Sequence, residues 1–73
     1  MNNQTITFYD FTQLAEDEQY ELVFTEGEFL DSLVKNELKF ALYRLYSFYV
    51  EVIYNSVDNT IVGITSFLDS KGY

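Results

Sequence analysis

The chain contains no cysteine and no histidine. Those two absences exclude disulfides, thiolate nucleophiles and Cys- or His-built metal sites, and they remove the commonest general base. Proline is missing as well and there are three glycines, so neither a linker nor a disordered low-complexity segment is expected. Positive charge is scarce: four Lys and Arg stand against twelve Asp and Glu, a net charge of −8 at pH 7. Direct nucleic-acid binding is thereby disfavoured, because affinity for the backbone rests on neutralising phosphates. No apolar run approaches the roughly 18 residues of a membrane-spanning helix. The segment Met1-Asn2-Asn3-Gln4-Thr5 lacks the basic and apolar regions of a signal peptide. The expectation is a cytoplasmic protein without a membrane partner. Asn3-Gln4-Thr5 matches the glycosylation triplet, which carries no weight without a secretion signal.

What the chain does have is aromatic surface, seven Phe and seven Tyr in 73 residues. A chain of this length is expected to form a single small α+β domain over residues 1–73. It buries only about 60 to 65% of its unfolded surface, so large side chains matter. They concentrate between Leu38 and Tyr54, LKFALYRLYSFYVEVIY, which reads as a β-hairpin with its turn at Tyr46-Ser47. A two-residue loop sets Leu45 opposite Phe48, Tyr43 opposite Val50 and Ala41 opposite Val52. These six, free of charge, form face A, the expected core side. Alternation puts Phe40, Leu42, Arg44, Tyr49, Glu51 and Ile53 on the other side, face B, with Arg44 and Glu51 in diagonal reach.

Ahead of the hairpin, Thr7 and Asp10 have capping-box spacing and Ile6 can staple onto Phe11, so a short helix is predicted from Phe8 to Leu14. The same stretch, ITFYDF, also alternates like a strand; the cap pattern decides for helix. Glu16, Asp17 and Glu18 suit the first turn of a second helix running to Thr25 and burying Leu22 and Val23, with Gly27 as a left-handed cap. Phe29–Val34 then reads as a strand and Lys35-Asn36 as a turn. Asn55–Asn59 is a loop, and Thr60–Leu68 is a last strand with Gly63 as its bulge. Polar residues flank the fold at 1–5 and 69–73. The predicted architecture is α+β: two short N-terminal helices packed on one face of a four-stranded antiparallel β-meander.

Charge is uneven along the chain. Residues 1–31 carry eight acids and no Lys or Arg, whereas residues 32–73 carry four of each sign. The acidic patch Glu16, Asp17, Glu18 and Glu21 is a candidate for steering a basic partner, against the plainer reading that it solubilises a helix and complements its dipole. Consecutive acids on a helix diverge, and Asp58-Asn59 lacks the ligand pattern of a calcium loop, so neither metal nor cofactor is expected. Tyr43, Tyr46, Tyr49 and Tyr54 resemble a base-stacking platform, but without basic neighbours packing is the better reading. With no convergent polar pocket in prospect, an enzyme is not expected.

The remaining candidate is apolar. With the Lys35-Asn36 turn, face B would carry Phe29, Leu33, Phe40, Leu42, Tyr49 and Ile53, more than a comfortable monomer exposes. The functional expectation is a small, acidic, non-catalytic protein-interaction module that binds a protein partner or itself, as a homodimer, through that face. The alternative is an acidic mimic of nucleic acid that inhibits a nucleic-acid-binding protein, as a phage-type inhibitor would. It requires carboxylates at phosphate-like intervals along one exposed stripe.

Overall fold

The computed structural model describes residues 6–68. The polar flanks expected at 1–5 and 69–73, and the Asn3-Gln4-Thr5 triplet, lie outside the described residues. The elements are α1 (Phe8–Thr12), α2 (Glu16–Glu26), β1 (Glu28–Lys35), β2 (Leu38–Leu45), β3 (Phe48–Asn55) and β4 (Thr60–Phe67). The strands form one antiparallel sheet in the order β1-β2-β3-β4, so the class is α+β with a meander.

Helix α1 starts where the capping box places it. The Thr7 hydroxyl accepts the Asp10 N–H at 3.1 Å, and the Asp10 carboxylate accepts the Thr7 N–H at 3.3 Å. It ends two residues before the expected Leu14 because the last turn tightens, with Gln13 and Leu14 donating three residues back to Asp10 and Phe11. The Phe11 carbonyl also receives the Gln19 side-chain amide at 2.8 Å, which ties α1 to α2. In α2 the Glu18 carboxylate accepts the Ala15 N–H at 3.3 Å, and the three leading acids lie where the dipole favours them. The helix runs one residue past the expected Thr25. Gly27 is extended, with φ −79°, and not the left-handed cap foreseen. Its need for glycine is steric: a Cβ there would lie 2.6 Å from the Val23 carbonyl oxygen. That close approach lets α2 pass into β1 with no intervening loop.

The central hairpin has the register that the Tyr46-Ser47 turn dictates, with Leu45↔Phe48, Tyr43↔Val50 and Ala41↔Val52. Tyr46 takes φ 58°. The β1–β2 connection differs from expectation by one residue. Its loop is Asn36-Glu37, closed by Lys35↔Leu38, since Asn36 tolerates the left-handed φ of 60° that this loop requires. Leu33 therefore faces Phe40, and Asp31 faces Leu42. A bulge between Phe29 and Asp31 inserts Leu30, which brings Phe29 opposite Tyr43 with their rings 5.6 Å apart. In β3–β4 the register shifts between Ile53↔Gly63 and Tyr54↔Ile61, so the extra residue is Val62, next to the Gly63 foreseen as the bulge.

Phe11, Val23, Leu45, Phe48, Val50 and Val52 form one buried cluster, each no more than 1% exposed. Phe48 is its hub: the Phe8 ring meets it edge-on at 5.8 Å and the Phe11 ring at 5.4 Å. Ile6, Leu22, Tyr43 and Tyr54 are among the half-buried residues packed against the cluster.

Candidate functional site

The register arranges face B in three rows running across the sheet. Leu33, Phe40, Ile53 and Gly63 make the first; Asp31, Leu42, Glu51 and Thr65 the second; Glu28, Arg44, Tyr49 and Phe67 the third. Five of the six residues proposed for contact are thus brought together. Leu33 is 57% exposed, Phe40, Tyr49 and Ile53 are half-buried, and Leu42 is buried, at 5% exposed. Phe29 leaves the set, because the bulge at Leu30 turns it to Tyr43 on face A. Phe67 is gained, stacked on Tyr49 with ring centroids 5.9 Å apart. The strand containing Phe67 was legible in the sequence; its register, reset by the bulge at Val62, was not.

The polar content of the face is small and specific. Arg44 donates to the Glu28 carboxylate at 2.8 Å, and these side chains are 51% and 60% exposed, so their attraction is screened and contributes little. Glu51 is not the partner of Arg44, contrary to expectation. It stands between Leu42 and Thr65, and burial raises its carboxyl above the ordinary carboxylate range.

Two other surface features lie apart from face B. Glu16, Asp17, Glu18 and Glu21 are all exposed on α2, and Glu18 and Glu21 border a shallow hollow of about 270 Å³ with Leu14, Leu22 and Thr25. At successive positions of the first turn, Glu16, Asp17 and Glu18 diverge. A second hollow, of about 390 Å³, is lined by Phe29, Lys39, Ala41, Tyr43, Tyr54 and Asn59. Burial, then the charge of Tyr54 and a hydrogen bond to it, pushes the Tyr43 phenol up from its ordinary value. A phenol held protonated in this way can donate or accept a hydrogen bond but is no base near neutral pH.

Among the described residues no three Asp or Glu side chains converge on a position that would hold a metal ion. Nor is any helix among them long and apolar enough to cross a membrane. Comparison with protein-family models, with curated proteins and with solved structures gave no match.

Proposed function

We propose that the chain is a small non-catalytic protein-interaction module that works by burying face B against another protein chain. In this reading both helices lie over face A and leave face B open. What supports it is the composition of the buried cluster: the helices contribute Phe11 and Val23, and the sheet contributes Leu45, Phe48, Val50 and Val52, all from face A. The apolar rows around Leu33, Phe40 and Ile53 therefore have no helix assigned to them. An apolar surface of this kind in so short a chain marks a contact site, and covering it supplies burial that the chain lacks by itself.

A nucleic-acid mimic needs its carboxylates in register along a stripe. Glu16, Asp17 and Glu18 instead surround the start of α2, and Glu18 is occupied with the Ala15 N–H, which favours a capping and solubilising role. The test is light scattering with a hydrophobic dye at micromolar concentration, on the native chain and on Ile53→Lys. The native chain should bind dye through its open apolar face, and Ile53→Lys should bind less of it while melting as native. A native chain that stays monomeric and binds no dye would show that face B is already covered.

A further inference from the structure

We infer that β1 is a homodimerisation edge: two copies pair β1 antiparallel about Leu33, so that Asp31 of each chain lies opposite Lys35 of the other and two four-stranded sheets become one. This goes beyond face B, since it concerns the rim of the sheet and its backbone. β1 is an edge strand exposed along its whole length, and Leu33 and Val34 are 57% and 58% exposed. A strand edge of this kind is a template for another strand.

Backbone geometry limits the pairing. The pair closing a two-residue hairpin, here Lys35 and Leu38, exchanges backbone hydrogen bonds, and the alternation gives Leu33 and Asp31 the same inward orientation. The N–H and C=O groups of Ser32 and Val34 therefore point outward. The Ser32 N–H agrees with this, for it is held by the Asp31 carboxylate at 2.8 Å. The bulge at Leu30 confines regular pairing to Asp31–Lys35.

Side chains opposite one another in an antiparallel pair share a face. Asp31, Leu33 and Lys35 lie on face B, whereas Ser32 and Val34 lie on face A. A pairing centred on Leu33 respects this and sets Ser32 opposite Val34 of the second copy in both halves, matching outward donors with outward acceptors. It also sets Asp31 opposite Lys35 of the second copy twice, so the strand is complementary to itself in charge. Centred on Ser32, Asp31 would face Leu33 and Lys35 would meet the bulge. Centred on Val34, Lys35 would face Leu33. Only the Leu33-centred register pairs opposite charges. In the free chain the Asp31 carboxylate guards the outward Ser32 N–H; on pairing, the carboxylate turns to Lys35 and the N–H passes to a strand carbonyl. Both groups remain satisfied in both states.

Sedimentation equilibrium of the full chain at micromolar concentration tests this with Asp31→Lys, Lys35→Asp, their equimolar mixture and the double variant. The native chain should dimerise. Each single variant places like charges opposite each other twice and should weaken dimerisation on the order of tenfold or more. The mixture should form a heterodimer, and the double variant should again form a homodimer. Val34→Pro removes an outward N–H that donates no hydrogen bond among the described residues, so it should melt as native and stay monomeric. A native monomer, a dimer indifferent to these changes, or a mixture without rescue would overturn the proposal. Ile53→Lys should leave this dimer intact, so failure here with a dye response intact at Ile53 removes the edge and keeps face B. A lost dye response with intact charge rescue does the reverse.

Discussion

Arg44 reaches across to Glu28 on β1 at 2.8 Å and leaves Glu51 on β3 with no cation among the described residues. The bulge at Leu30 causes this by setting Glu28 directly opposite Arg44. Direct cross-strand neighbours are closer than the diagonal ones that would join Arg44 to Glu51. Glu51 thus remains a desolvated carboxylate in the middle row of face B.

That position has a pH signature. Burial raises the folded-state carboxyl of Glu51 above its ordinary 4.5, so the folded chain holds this proton more tightly than the unfolded chain. The group's contribution is most favourable below the unfolded value and is lost as pH rises through the folded one. Glu51→Gln should therefore melt higher than the native chain at pH 7, and the difference should vanish below about pH 4. Calorimetric melts of both chains at the two pH values check it; a difference unchanged with pH would contradict it.

Val50→Asp should unfold the chain. Val50 is fully buried in the cluster around Phe48, and an unpaired carboxylate there costs several kcal/mol against a total stability of roughly 4 to 11 kcal/mol for this length. Loss of the cooperative melt in circular dichroism is the expected result, and native-like melting would show that face A is not the core side.

Much of the fold was legible in the sequence because its signals were local. Thr7 and Asp10 announced a helix start through spacing, and Tyr46-Ser47 gave the hairpin register because it alone interrupts two apolar runs. What escaped was set by contacts between segments. The bulge at Leu30 adds one residue to a strand without any composition cue and moves Phe29 off face B, whereas the one at Val62, signalled to within a residue by Gly63, brings Phe67 onto it. The Asn36-Glu37 loop was missed by one residue because two adjacent polar pairs compete for it and only Asn36 suits a positive φ. Gly27 was recognised as an end signal for the wrong reason: its conformation is ordinary and its neighbour is close.

Gly27→Ala tests the steric reason. The backbone φ of −79° permits alanine, so no left-handed strain opposes the substitution and packing alone decides. The added Cβ would lie 2.6 Å from the Val23 carbonyl oxygen, and relief requires moving backbone. We expect destabilisation of about 1 to 3 kcal/mol by denaturant titration, as for other overpacked sites. A neutral or stabilising effect would mean that α2 and β1 part without cost.

The acids of α2 should be unequal. Glu16→Gln removes an exposed charge and should shift the melting temperature little, since self-repulsion in a chain of charge −8 is relieved as the dipole contact is lost. Glu18→Ala also removes the acceptor of the Ala15 N–H and should cost about 0.5 to 1 kcal/mol. Equal losses at the two positions would show that charge, and not the cap, is what α2 needs.

Hydroxyl-radical footprinting across a dilution series decides whether face B is open, because it reads the exposure of named aromatic side chains in solution. Phe11 and Phe48 should stay unlabelled throughout, while Phe40 and Tyr49 should be labelled in the dilute chain and become protected when face B meets another chain. Phe40 and Tyr49 unlabelled even at the highest dilution, with Phe48 labelled, would contradict an open face B.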